Sequence, residues 1–277
     1  MTGALTLWPQ DPWGRVLNGA CDASELPAII QDIGHTAADL ALERFGDKLH
    51  SVYLSGDLAR DAGCEASFII VLRNSEHSVG LDLFCAAAAL RVQKLHPELQ
   101  GCTFETYGWD EIFPADGRFS PPRFRLGVNS VAIAGRDLKR LIAPQKLTSA
   151  VSNASIVGLA GRLRALQHRL KAVATEARVR ATSRQFAQTA LKGAFACVMT
   201  SEQVYTEDFA TMARYITLSV PEKKQTLISL VGFSQRGTAS TIEALAIVDE
   251  VMSWLPEFAD SWLDQNNPPR DQTIKLV

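Results

Sequence analysis

The chain lacks the residue patterns of several common protein classes. Its 277 residues include only five cysteines, at positions 21, 64, 85, 102 and 197. Their odd number and the absence of C-x-x-C spacing argue against a disulfide framework and against a zinc site. No apolar run approaches the ~18–20 residues needed to cross a bilayer, and the N-terminus lacks a charged start followed by an apolar stretch. We therefore expect a cytoplasmic protein with no membrane partner.

A strong excess of charge of either sign is also missing. The formal net charge is −2, so the sequence gives no sign of the large positive field that attracts nucleic acid. No G-x-x-x-x-G-K-[ST], G-x-G-x-x-G or G-x-S-x-G motif occurs in suitable surroundings, which removes several nucleotide-binding and hydrolase classes. Hydrophobic residues make up 47% of the chain, and this content suffices for two packed domains.

The most informative segment covers residues 51–72, which read SVYLSGDLARDAGCEASFIIVL. Residues 52–54 form a short apolar run of strand formers, and Gly56 follows where the chain must turn. Residues 58–60 can then begin a helical turn. A turn lined with backbone N–H groups at a helix start is suited to phosphate.

A second strand is expected directly after this turn. Residues 68–72 form a continuous apolar run, which is typical of a strand that is buried on both faces. Glu65 and Ser67 precede that run by a few residues. Because side chains alternate along a strand, these two residues should point to the same side and face the turn together.

Residues 54–61 (LSGDLARD) and 64–72 (CEASFIIVL) resemble the nucleotidyltransferase superfamily with the polymerase-β-like fold. The likeness is greatest to bacterial small-substrate members that carry a helical C-terminal domain. In that family a strand leads into Gly-Ser and an Ala-Arg-Gly turn, and Asp-x-Asp opens the next strand. The apolar pattern matches closely, whereas most of the polar positions differ.

The resemblance implies a degenerate active site. The first aspartate of the family matches Glu65, a candidate metal ligand, and the second matches Ser67, which carries no charge. The phosphate-contacting serine matches Asp57, and the second glycine matches Asp61. Two Mg²⁺ ions require several hard oxygen ligands, so a neutral hydroxyl weakens the expected cage. The two acids would also repel a polyphosphate.

Two sets of candidate site residues follow from the resemblance. The candidate catalytic residues are Glu65 and Glu105, the latter as a surviving third acid or general base. The candidate nucleotide-binding residues are Ser55, Gly56, Asp57, Arg60 and Ser67. The residues alone also allow a simpler interpretation, in which the acids lie on solvated surfaces. In that case Arg60 pairs with Asp57, Asp61 or Glu65 whether or not a ligand binds.

The rest of the first half is compatible with the same fold. Apolar spacing predicts a helix over residues 22–45 with Ser24 as its N-cap, and a second helix over residues 81–95. Residues 102–107 should form a third strand. Residues 123–138, which read RFRLGVNSVAIAGRDL, resemble a strand pair of the family that ends in a turn.

The second half is predicted to be a helical bundle. Helical stripes cover residues 155–181 and 185–199. A further helix should open after Tyr205 with Thr206 as its N-cap, another begins at Pro221, and one more covers residues 240–255. Pro256 should end that helix before a short last one.

We therefore predict an α+β fold, in which a nucleotidyltransferase-like α/β domain with a small mixed sheet precedes a helical bundle. The expected domains are an N-terminal arm over residues 1–22, the α/β domain over residues 23–146, the bundle over residues 155–265, and a tail over residues 266–277. The boundary falls in the polar, Ser-rich stretch at residues 144–155.

Charge is unevenly distributed within the bundle. Residues 162–192 are basic and residues 243–264 are acidic. The basic and acidic helices could face each other, within one chain or between two. Alternatively, Arg162, Arg164 and Arg169 could line a cleft between the domains and attract an anionic ligand. This charge division, together with Trp8 and Trp13, is compatible with a homodimer.

Two functional hypotheses remain open at this point. In the first, the protein is a nucleotidyltransferase-fold pseudoenzyme that binds a nucleotide, another anionic small molecule or a protein partner. In the second, it is an active Mg²⁺-dependent enzyme that transfers a nucleoside monophosphate from a nucleoside triphosphate to a small hydroxylated acceptor. The first is favoured, because the Asp-x-Asp pair of the family reads Glu-x-Ser here.

Overall fold

The computed structural model of the protein describes residues 6–61, 63–74, 80–172 and 175–274. These residues form two compact units. One unit is Pro9–Lys146, and the other contains the described residues from Leu147 onward together with residues 6–8. The first unit combines a sheet with helices and the second is helical. The expected α+β class is therefore confirmed.

The described residues of the first unit form six strands and four α-helices, numbered here in chain order. They are β1 (Arg15–Val16), α1 (Ala28–Phe45), β2 (Leu49–Ser55), β3 (Glu65–Leu72), α2 (Leu81–Leu95), β4 (Gly101–Gly108), α3 (Trp109–Ile112), α4 (Pro121–Val128), β5 (Ser130–Gly135) and β6 (Gln145–Lys146). The main sheet has the strand order β4-β3-β2-β5, and β1 pairs with β6 separately. β2 runs antiparallel to β3 and β5, whereas β4 runs parallel to β3, so the sheet is mixed, as predicted.

Both faces of the main sheet are covered. One face packs on α1 and α2, with α1 over β2 and β5 and with α2 over β4. The other face packs on residues of α3 and α4, including Ile112 and Leu126. Residues 68–72 of β3 are buried on both faces, as their continuous apolar sequence predicted.

The predicted start of the first helix was wrong. Ser24 lies in a short 3-10 turn, Ala23–Glu25, whose N-cap is Asp22. The α-helix begins only at Ala28, after Pro27. Proline has no backbone N–H and disfavours helical backbone in the residue before it, so the periodic pattern cannot continue through it as one helix.

The predicted strand pair at residues 123–138 was also wrong. The segment instead supplies helix α4 and the single strand β5. Ser120 caps α4, because its hydroxyl accepts a hydrogen bond from the Arg123 N–H at 3.2 Å. Two prolines open this helix at positions 121 and 122. Serine followed by proline is a strong helix-start signal.

Seven α-helices are formed by the part of the helical unit that the structure describes. They are α5 (Ser149–Ile156), α6 (Leu159–Ala172), α7 (Glu176–Glu202), α8 (Phe209–Ser219), α9 (Lys224–Arg236), α10 (Thr241–Met252) and α11 (Leu255–Asn266). The long helix α7 packs against α5, α6, α8, α9, α10 and α11. Its small apolar interior, including Ala187, Ala190 and Ala194, is buried.

Several predicted boundaries of the bundle differ from the structure. The predicted helix at residues 155–181 is divided, because Gly158 has a φ of +71° between α5 and α6; Val173 of its stripe lies outside the described residues. The predicted helix at residues 185–199 is part of α7. The stretch at residues 144–155 is not simply a linker, since α5 begins within it and buries Ser152 and Asn153.

The start of α8 was misassigned by two residues. Its N-cap is Asp208, whose carboxylate accepts a hydrogen bond from the Thr211 N–H at 2.7 Å. The Thr206 hydroxyl instead accepts from the Asp208 N–H at 3.0 Å and donates to the Thr6 carbonyl at 2.6 Å. A carboxylate near a helix N-terminus is favoured by the helix dipole.

Both ends of the described chain are held by specific contacts. The Trp8 ring meets the Tyr205 ring edge to face at 5.6 Å. Asn267, which was assigned to a loose tail, is buried and donates to the Asn153 side-chain oxygen at 2.7 Å. Asn153 in turn donates to the Asp271 carbonyl at 3.1 Å. The residues just after α11 are therefore part of the packed unit.

Replacement of Gly135 by alanine should destabilise the sheet. Gly135 has a φ of +80°, and a Cβ there would lie 2.1 Å from the His50 carbonyl oxygen on β2. We expect Gly135→Ala to lower the free energy of unfolding by about 2 kcal/mol or more. Gly117→Ala is the matched control, because Gly117 has a similar φ of +71° with open space around it. Urea unfolding of both variants measures the difference, and equal losses would contradict the close approach.

Stability should fall at alkaline pH because of Tyr53. Burial raises the pKa of the Tyr53 hydroxyl to about 12, whereas an unfolded tyrosine titrates near pH 10. The folded state therefore holds this proton more tightly, and the stability present below pH 10 is lost as the pH rises through 12. At pH 11 the contribution of Tyr53 to this loss should be about 1 kcal/mol.

Tyr53→Phe isolates this effect. The Tyr53 hydroxyl accepts a hydrogen bond from the Leu138 N–H at 2.6 Å, so the variant should lose about 1–3 kcal/mol at pH 8. It should lose less than the wild type between pH 9 and 11, because its residue 53 does not titrate. Urea unfolding at both pH values measures this, and a constant difference between the two proteins would refute it.

Candidate functional site

The turn between β2 and β3 has the backbone geometry that the sequence predicted. Gly56 has a φ of +81°, and a Cβ there would lie 3.7 Å from the Ser67 Cβ. Residues Leu58–Arg60 then form one 3-10 turn. Asp61 ends this turn in the left-handed conformation, with a φ of +52°. The family has glycine at that position, and aspartate is among the few other residues that tolerate this conformation.

The Asp57 carboxylate is engaged within the turn. The Arg60 guanidinium donates to it at 2.6 Å, which fulfils one of the pairings expected for Arg60. Gly63 packs directly against Asp57, since a Cβ at Gly63 would lie 3.1 Å from the Asp57 Cβ. The acid at the position of the phosphate-contacting serine therefore has its own counter-ion.

Glu65 and Ser67 lie on the same face of β3, as their spacing predicted. In the parallel ladder Glu65 pairs with Gly101 and Ser67 pairs with Thr103. A Cβ at Gly101 would lie 3.6 Å from the Glu65 carboxyl carbon, so the carboxyl group covers this glycine. The Thr103 hydroxyl donates to the Ser67 hydroxyl at 3.2 Å. We call Glu65, Ser67 and Thr103 the polar strip.

Ser55 does not join the polar strip. Its side chain is buried, and its hydroxyl donates to the Asn129 carbonyl at 2.7 Å. This hydrogen bond ties the end of β2 to the chain just before β5. The predicted role of Ser55 in nucleotide binding is not supported by this geometry, because the hydroxyl proton is already used inside the fold.

Glu105 belongs to a cluster of charged and polar groups. Arg125 of α4 approaches both carboxylate oxygens: one nitrogen donates to Oε1 at 3.2 Å and the other donates to Oε2. The Tyr107 hydroxyl donates to the same Oε2 at 2.6 Å. Burial raises the pKa of Tyr107, so this hydroxyl keeps its proton. The expectation that Glu105 lies at a solvated surface agrees with its side chain, which is 37% exposed. Both carboxylate oxygens already accept hydrogen bonds, so the arrangement does not favour a role as a general base.

The two candidate catalytic carboxyl groups are not brought together. Glu65 pairs with Gly101, and Glu105 lies four residues further along β4. At about 3.3 Å per residue, the separation along the strand is about 13 Å. In the part of the chain that the structure describes, no group of three or more His, Cys, Asp or Glu side chains could hold a metal ion. At that separation along the strand, Glu65 and Glu105 do not lie close enough to be ligands of one ion.

Arg125 and Thr103 were not among the predicted site residues. Arg125 was placed in a predicted strand pair, whereas it lies on α4 and reaches β4 from there. The sequence Ser120-Pro121-Pro122 was the available signal, because serine before proline marks a helix start. Thr103 gave no comparable signal, since its position opposite Ser67 depends on the register between two strands that are distant in sequence.

Two of the three basic residues singled out in the bundle, Arg162 and Arg169, make contacts within the bundle. Arg162 donates to the carbonyls of Val157 and Ser155, so it closes the C-terminal end of α5. Arg169 donates to the Gln185 side chain on α7 at 3.4 Å. The basic helix α6 also contacts the acidic helix α10, where Gln167 donates to Asp249 at 3.0 Å. These contacts favour the interpretation that basic and acidic helices pack within one chain.

The chain was also compared with known proteins. No protein-family model matches it, and no curated protein sequence matches it. Among the helices of the described residues, none combines the length and the apolar character needed to span a membrane.

The contact between Glu105 and Arg125 should contribute measurably to stability. Both side chains are about one-third exposed, so solvent screening limits their interaction. A double-mutant cycle of Glu105→Gln and Arg125→Gln should give a coupling of about 1 kcal/mol, because the pair is bidentate. The exposed pair Asp116 and Arg118, 3.7 Å apart, is the control and should give about 0.3 kcal/mol or less. Equal coupling in both cycles would contradict a structural role for the cluster.

Proposed function

We propose that this protein is a nucleotidyltransferase-like pseudoenzyme that acts by binding. The order of helix, strand, turn, strand, helix and strand that the family resemblance implied is the order from α1 to β4. This agreement supports the scaffold part of the proposal. The polar groups of the site, and chiefly Glu105, support the loss of transfer activity.

The pairing of Glu105 is the observation that carries the proposal. Metal-dependent transfer needs carboxylate oxygens that are close together and available to a dication. Here the Glu105 oxygens accept hydrogen bonds from Arg125 and Tyr107. A metal ion at this carboxylate would have to displace the guanidinium or lie next to it, and either arrangement is unfavourable.

The polar strip also lacks a second acid. A hydroxyl at Ser67 replaces the aspartate of the family, and it already accepts a hydrogen bond from Thr103. Glu65 is the one carboxylate of the strip. One carboxylate with two hydroxyls can bind a polar group, but it supplies too little negative charge for two divalent ions.

Charge around the turn opposes a triphosphate. The segment from Gly56 to Ser67 carries three carboxylates, at Asp57, Asp61 and Glu65, and one guanidinium, at Arg60. Arg60 donates to Asp57, so it is not aimed at a ligand phosphate. Like charges at this range repel, and the repulsion grows as water is excluded. The strip therefore suits a neutral or cationic polar group, from a small molecule or a protein, better than a nucleotide.

Isothermal titration with ATP and GTP, with and without Mg²⁺, tests this proposal. We expect no binding of either nucleotide to the wild-type chain at millimolar concentration. The double variant Asp57→Ser, Ser67→Asp restores the residues of the family at two positions. We expect it to gain Mg²⁺-dependent binding, because it removes one repelling charge and adds one metal ligand.

The opposite pattern would support an active enzyme. Micromolar, Mg²⁺-dependent binding by the wild type that Glu65→Gln abolishes would mean that Glu65 holds a metal, and the proposal would be wrong. Thr103→Ala is the matched control, because it changes the polar strip without removing a charge.

A further inference from the structure

Strand β4 lies at one edge of the main sheet. Within the described ranges it pairs with β3 alone, through all eight residues of Gly101–Gly108. The outer side of such a strand presents backbone N–H and C=O groups in a row, and this row can pair with another strand. An edge of eight residues is long enough, at about 26 Å, to accept a full strand.

The opposite edge strand of the sheet, β5, has side chains hydrogen-bonded to its backbone. At β5, the Asn18 side chain donates to the Ser130 carbonyl at 3.0 Å, and the Lys139 ammonium donates to the same carbonyl at 3.1 Å. A charged side chain on the edge, especially lysine, is one of the means by which proteins block an edge strand. β4 carries no lysine or proline in its sequence GCTFETYG.

Helix α2 packs on β4 and leaves an apolar surface beside the edge. Phe84 and Arg91 point toward α1, since the Phe84 ring meets the Phe45 ring at 5.1 Å and Arg91 lies 3.6 Å from Glu43. Because α1 packs on β2 and β5 and α2 packs on β4, the flank of α2 away from α1 faces the outer edge of the sheet. Leu83 and Leu90, next to that flank, are 74% and 69% exposed.

The residues on this flank of α2 are self-complementary. Asp82, Ala86, Ala89 and Gln93 recur at intervals of four, three and four, which places them on one stripe of the helix. When two such stripes pack antiparallel, Ala86 of one helix opposes Ala89 of the other, and Asp82 opposes Gln93. The alanines allow a close approach of the helix axes, and Gln93 can donate to the Asp82 carboxylate.

We infer that β4 and α2 together form a two-fold interface with a second copy of this chain. A two-fold axis perpendicular to the sheet makes the two β4 strands antiparallel and sets the two α2 helices side by side and antiparallel. The sheet then becomes a continuous sheet of eight strands. One symmetry operation thus pairs both the strand edges and the helix stripes.

The strand register depends on which residues meet at the two-fold axis. If Glu105 opposed Glu105 of the other copy, two carboxylates that each already bind Arg125 would face each other. A shift that centres the axis on Phe104 puts Phe104 opposite Phe104 and Thr103 opposite Glu105. This register places the aromatic rings together and separates the acids.

A second copy fits this surface better than a foreign extended peptide does. A peptide added to β4 would use the backbone groups but would leave Leu83 and Leu90 in water. A second copy uses the edge and covers both leucines in the same step, which adds apolar burial to the hydrogen bonds.

Sedimentation velocity of the full chain tests the interface. We expect the wild type to sediment as a dimer, at twice 30.2 kDa, at micromolar concentration. Leu90→Glu should raise the dimer dissociation constant at least about tenfold, because it puts a charge beside the alanines of the helix contact in place of an apolar side chain. Leu42→Glu is the matched control on α1, where Leu42 is 57% exposed; it should change the constant less than about twofold. A wild type that is still monomeric at a protein concentration of about 100 μM would overturn the inference.

Hydrogen exchange distinguishes a dimer formed through β4 and α2 from a dimer formed through a different surface. Alternate backbone amides of β4 should be protected in the wild-type dimer and should exchange faster in Leu90→Glu. Ala86→Glu, which also changes the stripe, should reproduce both effects if it folds, as circular dichroism would verify. A dimer that persists in both variants, with β4 exchange unchanged, would place the contact elsewhere and contradict the inference.

Discussion

Burial of β3 on both faces is the constraint on which the sheet unit depends. Phe68, Ile69 and Ile70 are completely buried, and such a strand contributes roughly 1.5–3 kcal/mol of apolar burial for each large side chain. The chain can therefore present polar groups only before this run begins. Glu65 and Ser67 occupy that position, next to the Gly56 turn, and the parallel register then decides that Thr103 lies beside Ser67.

The same register separates the candidate acids. Because β4 runs parallel to β3 with Glu65 opposite Gly101, Glu105 falls opposite Ile69. At that position along the sheet, the Glu105 carboxylate accepts hydrogen bonds from Arg125 of α4 and from the Tyr107 hydroxyl. A half-buried carboxylate with two such donors is best understood as a link between the edge strand and α4. The features that stabilise this face of the sheet are thus the features that remove Glu105 from metal chemistry.

The regular elements were predictable where apolar residues follow one period without interruption. Residues 81–95 were predicted as a helix and form α2 with those bounds, and residues 68–72 were predicted as a buried strand. Errors arose where capping residues compete with the pattern. Pro27, Ser120 and Gly158 each set a boundary that periodicity alone could not give.

The site was less predictable than the fold. The turn at Gly56 and the pairing of Arg60 with Asp57 follow from local sequence, because the residues involved are neighbours. The neutralisation of Glu105 by Arg125 joins residues twenty positions apart on different elements. It depends on strand register and on where α4 packs, and neither is encoded in a short motif.

Manganese binding tests the central claim most directly, because Mn²⁺ accepts the same oxygen ligands as Mg²⁺ and its free concentration can be measured by electron paramagnetic resonance. We expect no Mn²⁺ binding stronger than millimolar, either by the protein alone or in the presence of ATP. Tight Mn²⁺ binding that both Glu65→Gln and Glu105→Gln abolish would contradict this expectation, because the two carboxylates would then share a metal ion.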